Sequence, residues 1–392
     1  MRRRSFLLSL AGTAATPLAL RLGIARAQSA TPAADASPMA GPPPPPPGTE
    51  MYAGGLNNPR GLAFGPDGLL YIAEAGGVVT DACVTGPEGF TICYGQTGAV
   101  ARVDADGAVK RILSGLGNSA NQDTGMNATG PHDIAFADTT MVLVTGLGAD
   151  PKVREALGPI GADLGRLFKV DADGQKSVIA DIAGYEASSN PDGGQIDSNP
   201  YKVAVLPDGA FAVVDAGGNS LLKVTPDGQI STLAVFKDAE ATLPDGSKMP
   251  YNAVPDALAL SPDGSTLTVG NLTGAPFPVG AAAIWSVPVA GGEPTKVTDG
   301  FTNVIDIAYD PDGNLYVLEI LKGGLANLNP GDPATMAGQL TRIAPDGTKK
   351  VVLGEGLVMP TAVAVGPDKM LYVANLGTLA GGASVVRMPL PS

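Results

Sequence analysis

The chain holds one histidine, His132, and two cysteines, Cys83 and Cys93, among 392 residues. One imidazole cannot build a multi-histidine zinc centre, and two thiols with a distant His do not complete a tetrahedral set. Ser–His–Asp catalysis would have to use His132, and no G-x-S-x-G elbow supplies its nucleophile. A phosphate-cradling glycine loop and an H-E-x-x-H helix are also missing. Basic residues are scarce, 25 against 38 acidic, for a net charge of −13. This argues against nucleic acid and anionic membrane surfaces, which call for a basic patch. Long amphipathic periodicity is absent throughout. Beyond the N-terminus, no segment offers the roughly 20 apolar residues that spanning a membrane needs.

The N-terminus reads as an address. Arg2-Arg3-Arg4 precedes Ser5-Phe6-Leu7, a modestly apolar run to Ile24, and Ala25-Arg26-Ala27. A basic head, an apolar middle and an A-x-A exit predict a signal peptide over 1–27, of twin-arginine type. The mature protein is therefore expected outside the cytoplasm, extracellular or periplasmic. Its removal takes away five arginines and no acid, leaving a net charge of −18. Residues 28–49 are rich in Ala and Pro and end in Pro42 to Pro47, a tether rather than a core. In an exported chain the pair Cys83 and Cys93 is most simply a disulfide closing a short loop, worth about 2–3 kcal/mol. That pairing disfavours a free-thiol nucleophile.

What the body does have is repetition. Ten tripeptides read Pro-Asp-Gly or Ala-Asp-Gly between short apolar runs, a strong turn signal because Gly tolerates positive φ and Asp bonds its own backbone. One strand recurs as Pro59-Arg-Gly-Leu-Ala-Phe64, Pro131-His-Asp-Ile-Ala-Phe136, Pro200-Tyr-Lys-Val-Ala-Val205, Pro255-Asp-Ala-Leu-Ala-Leu260, Val304-Ile-Asp-Ile-Ala-Tyr309 and Pro360-Thr-Ala-Val-Ala-Val365. A second, third and usually a fourth strand follow each copy. The pattern predicts an all-β, six-bladed β-propeller of four-stranded antiparallel blades over 50–392. The last unit stops after its third strand, and Met51–Leu56 supplies a spare fourth, so the N-terminal strand should close the ring and remove both edges.

The repeat resembles NHL-type and gluconolactonase-like propellers. More distinctive runs are Leu56-Asn-Asn-Pro-Arg-Gly-Leu-Ala-Phe64, Cys93-Tyr-Gly-Gln-Thr-Gly98, Thr129-Gly-Pro-His-Asp133, Tyr185 to Gly194, Asp197-Ser-Asn-Pro200, Asp215 to Leu222, Leu272 to Gly280 and Gly300-Phe-Thr-Asn303. On these the chain resembles, more narrowly, the ScyD/ScyE family, exported propellers named for an association with scytonemin biosynthesis. The resemblance implies a propeller fold and export, and carries over no catalytic residue.

Connections between second and third strands, and from one unit to the next, are expected to be long (75–98, 117–130, 146–164, 182–199, 237–254 and 320–338). In a propeller both classes lie on one face, where elaborated loops carry binding. Aligned repeats put Glu74, Thr145, Asp215, Asn271, Glu319 and Asn375 at the ends of the second strands. Arg60, His132, Tyr201, Asp256, Ile305 and Thr361 begin the first strands, followed by Asp133 and Asp306. Together they predict a polar, largely acidic channel mouth on the long-loop face. Glu74, Asp215, Asn271 and Glu319 offer oxygen ligands suited to Ca²⁺ or another divalent cation. Polar residues also end strands simply because strands end in water. His132 and Asp133 are the candidate proton-transfer pair. Three functions follow: a binding or accessory propeller taking a small molecule or protein segment, a metal-dependent hydrolase of lactones or esters, and an extracellular scaffold. A monomer is expected.

Overall fold

Each Asp-Gly turn does locally what its residues dictate. In Pro66-Asp-Gly68 the Asp67 Oδ1 accepts the Leu69 N–H at 3.1 Å while Gly68 takes φ +73°, where a side chain would be strained. The same bond recurs from Asp106, Asp173, Asp208, Asp263 and Asp346. Repeated reversals of this kind stack the chain into antiparallel blades.

The computed structural model describes residues 44–85, 91–242, 246–329 and 332–391. The expected signal peptide, and the expected linker as far as residue 43, lie outside them. Blade 1 comprises Pro59–Phe64, Leu70–Glu74, Thr91–Val103 and Val109–Asn121, from the axis outward. Blade 2 is Pro131–Ala137, Thr140–Thr145, Arg166–Val170 and Lys176–Asp181. Blade 3 is Pro200–Val205, Phe211–Asp215, Ser220–Val224 and Ile230–Val235. Blade 4 is Pro255–Leu260, Thr266–Asn271, Ala282–Pro288 and Thr295–Phe301. Blade 5 is Val304–Tyr309, Leu315–Glu319, Gln339–Ile343 and Lys349–Leu353. Blade 6 is Ala362–Val365, Met370–Asn375 and Ala380–Pro389, completed by Glu50–Asn57. That closing strand pairs Met51 with Val386 and Gly54 with Ser384, as the repeat count predicts.

Second strands such as Leu70–Glu74, Phe211–Asp215 and Leu315–Glu319 are buried at every residue. They lie in mid-blade with a neighbouring blade on each face, so they read as continuous apolar runs rather than an alternation. The core is therefore a series of seams. Tyr71, Val100, Leu143 and Phe168 fill the one between blades 1 and 2; Ala257, Ile284, Ile307 and Val317 fill that between blades 4 and 5.

The structure corrects two loop boundaries. Thr91–Val103 and Val109–Asn121 are 13 residues each, so 91–98 and 117–121 are strand rather than connection. With Ala82–Thr85 they extend blade 1 beyond the ring, where Cys83 and Cys93 face each other and form the expected disulfide. The Gly- and Thr-rich sequence there hides the extension from apolar pattern. Other long connections carry helix Val153–Leu157, helix Ile182–Ser189 and the hairpin Ala239–Thr242 with Lys248–Tyr251. No helix among the described residues is long and apolar enough to cross a membrane.

Candidate functional site

Five of the six inner strands begin with a slip in register. Pairing jumps from Pro59 to Gly61, Pro131 to Asp133, Pro200 to Lys202, Pro255 to Ala257 and Val304 to Asp306. Arg60, His132, Tyr201, Asp256 and Ile305 thus leave the ladder, and a bulge of this kind re-aims its side chain. With Thr361 they are the six buried residues that begin the inner strands, none more than 3% exposed.

Most of these side chains are spent on joining blades. His132 Nδ1 lies 2.9 Å from the Pro200 carbonyl of blade 3, so Nδ1 carries the proton and donates it. Its ring packs on Tyr201, centroids 4.6 Å apart. Burial lowers the imidazole to about 3; the Pro200 carbonyl opposes this, and the charges of Arg60 and Lys202 add to it. Arg60 donates to the carbonyls of Ala128 (3.2 and 3.0 Å) and Gly377 (3.2 Å), and Thr361 Oγ1 donates to Pro59 O at 2.6 Å. Asp133 Oδ2 accepts the Val203 N–H at 3.1 Å, and Asp306 Oδ2 accepts the Val363 N–H at 2.9 Å. Each of these bonds crosses from one blade to the next, or to a neighbouring blade's loop.

The axis itself is filled by a residue that sequence reasoning passed over. Lys202 of blade 3 reaches Asp306 at 2.9 Å, Asp133 at 3.7 Å and the Arg60 carbonyl at 3.1 Å. Burial alone would pull its ammonium down, but Asp133 and Asp306 together hold it above the ordinary lysine value. Lys202 occupies the same repeat column as Asp133 and Asp306, so it was visible as the one inverted charge in that column. The residues expected at a solvent-facing acidic mouth are buried, and Lys202 pairs with Asp133 and Asp306 among them as an axial plug. Asp256 is the exception within it. Neither of its carboxylate oxygens has a partner, and burial pushes its pKa well above the carboxylate range.

The second-strand column has a different task. Glu74 Oε1 accepts the Asn57 N–H at 2.7 Å and forks onto Arg111. Asp215 accepts from Asn199 N, Ser198 Oγ, Gly217 N and Gly218 N. Asn271 accepts from Ala283 N and donates to Ala253 O; Glu319 accepts from Thr302 N at 2.7 Å; Asn375 accepts from Val358 N at 2.7 Å. In all five of these blades a bond ties the segment entering the inner strand to the end of the second strand, holding the loop face rigid. Glu74, Asp215, Asn271 and Glu319 each have separate local partners, and among the described residues no three His, Cys, Asp or Glu side chains are gathered to hold a metal.

No family model and no curated protein matches the chain. Solved structures do. A PQQ-bound aldose sugar dehydrogenase from Streptomyces coelicolor superposes with a TM-score of 0.51 at 15% identity, over 87% of this chain and 98% of that one. A putative gluconolactonase gives 0.48 at 14% over 88% and 96%, and the calcium-binding protein regucalcin from Agrobacterium tumefaciens gives 0.46 at 15% over 84% and 86%. The likeness is one of fold. At these identities chemistry does not transfer.

Proposed function

We propose that this is an exported binding or accessory propeller of ScyD/ScyE type, whose long-loop face takes a small apolar or aromatic molecule, or an apolar protein segment. The carrying observation is where apolar surface is left exposed. Among the described residues, Met51, Ile112, Val178, Val297 and Val351 lie on outermost strands, where each blade ends in water. The other exposed large apolar side chains are Val78, Val84, Met249 and Val279, and strand order puts all four on the long-loop face. The axial residues beneath that face are engaged in holding the blades together, which supports a rigid platform rather than a catalytic cleft. The disulfide favours an oxidising compartment. Saturation-transfer NMR of the full chain against a panel of aromatic acids and sugar lactones tests this reading. Binding without turnover is expected, and turnover of any panel member would overturn it.

A second reading, metal-dependent lactone hydrolysis, has one observation in its favour: Asp256 is a buried oxygen donor with no protein partner. It predicts gluconolactone hydrolysis that needs a divalent cation, stops with EDTA and is lost in D256N.

A further inference from the structure

The densest set of unanswered polar atoms lies outside the axial ring, on the loop side of blade 3. Asp181 caps the helix Ile182–Ser189 by accepting the Gly184 N–H at 2.9 Å, and Asn190 ends it in the left-handed conformation. The cap sets the helix phase and turns Glu186 inward, where it is 1% exposed. A Cβ placed on Gly218 would stand 2.7 Å from Glu186 Oε2 and 3.4 Å from Asp215 Cγ, so the Glu186 carboxylate points at the Asp215 turn. Asp197, 4% exposed, comes from the strap that enters the blade. Neither Glu186 oxygen has a hydrogen-bond partner, nor has Asp197 Oδ1.

The charges here add up without a counter-ion. Burial first, then Asp215 and Asp192, raises Glu186 to about 8; the nearby Asp197 N–H, which hydrogen-bonds neither oxygen, opposes this. Burial and Asp215, then Asp150, raise Asp197 to about 7. Asp215 has its own donors, from Ser198, Asn199, Gly217 and Gly218, and Asp192 accepts from Asn219 and Gly194. Glu186 and Asp197 are therefore the carboxylates with free lone pairs, backed by two further negative charges. Buried carboxylates in that condition cost several kcal/mol unless a cation or protons answer them.

We propose that this blade 3 cluster binds a hard divalent cation of the Ca²⁺ class, ligated by both oxygens of Glu186 and by Asp197. All the free donors are oxygens, no thiol or imidazole is present, and a flexible oxygen shell completed by water is what Ca²⁺ accepts. Mg²⁺, which insists on a tight octahedron, fits one carboxylate from a helix and one from a loop less well. Two protein carboxylates suffice for such a site, so it does not need three acidic side chains already converged. The covering segment 191–196 is partly exposed, which gives the ion a short way in. Bound there, the cation would fix the strap that leads into the inner strand of blade 3. The site is separate from the axial plug; of the four mouth residues expected from sequence only Asp215 borders it, as a neighbouring charge rather than a ligand, and it does not depend on the ligand reading above.

The test is calcium titration of the EDTA-stripped full chain at neutral pH, read by calorimetry and by melting temperature. One equivalent of Ca²⁺ should bind and raise the melting temperature. E186Q should lose at least tenfold in affinity while melting, without calcium, no lower than the wild type, because the amide is as neutral as the protonated Glu186 it replaces. D256N should keep the wild-type calcium affinity, which separates this site from an axial metal. No binding by the stripped wild type at millimolar Ca²⁺, or unchanged affinity in E186Q, would overturn the proposal. So would loss of binding in D256N with E186Q unaffected.

Discussion

Lys202 and Asp306 meet across the axis of the ring, Nζ to Oδ2 at 2.9 Å, with both side chains almost fully buried. Blades 3 and 5 are not neighbours, so this ion pair ties together parts of the ring that share no seam. A buried ion pair contributes little against an apolar substitute, but breaking it by removing one partner leaves the other charge stranded. K202M should therefore cost about 3–5 kcal/mol, since it strands both Asp133 and Asp306. Urea unfolding measures this, and adding D133N and D306N to K202M should recover part of the loss. An unchanged midpoint in K202M would show that the pair does not hold the ring.

His132 gives the fold an acid-side dependence. Its folded value is about 3 against 6.5 for an ordinary histidine. The unfolded chain therefore binds a proton that the native state refuses, so this contribution is full above pH 6.5 and lost as pH falls toward 3. The slope reaches about 1.4 kcal/mol per pH unit. Asp133 acts in the opposite sense: burial first, with Lys202 opposing, raises it to about 6, so its share is full at low pH and fades as pH rises through 6. Comparing wild type with H132Q isolates the imidazole, because the advantage of the wild type should shrink steadily from pH 7 to pH 4. Equal pH profiles would contradict a neutral buried His132.

Glu319 separates a loop clasp from a metal ligand. Its Oε1 accepts the Thr302 N–H at 2.7 Å, a bond that an amide oxygen can also accept. E319Q should be within about 0.5 kcal/mol of the wild type, while E319A should lose about 1–3 kcal/mol by leaving a buried N–H unpaired. Thermal melts of both variants decide the matter, and a large loss in E319Q alone would point to a charge-dependent role.

Much of this architecture was legible because propeller blades repeat. Six copies of one strand, Asp-Gly turns at fixed offsets and the spare strand at Met51 gave blade number, face and closure. The site was less legible, for a physical reason. Repeat alignment finds columns, and it put Arg60, His132 and Asp256 in one column correctly, but it cannot tell which members bond across the axis. Lys202 spans the axis to Asp306, and Arg60 the seam to Gly377 of blade 6, over sequence distances that no local pattern encodes. Glu186 was hidden differently: it sits in a helix of eight residues with no apolar stripe, inside a connection expected only to be long.

On the proposed function, the axis is a lock and the long-loop face is the binding surface. The most direct measurement pairs V78D with V279D on that face and V297D with V351D on outer strands, each double variant checked for an intact melt. Saturation-transfer NMR then reads binding of any aromatic acid or lactone that the wild type holds. Binding should be lost in the first pair, retained in the second and retained in H132Q. Loss in H132Q, with the V78D and V279D double variant binding normally, would contradict this.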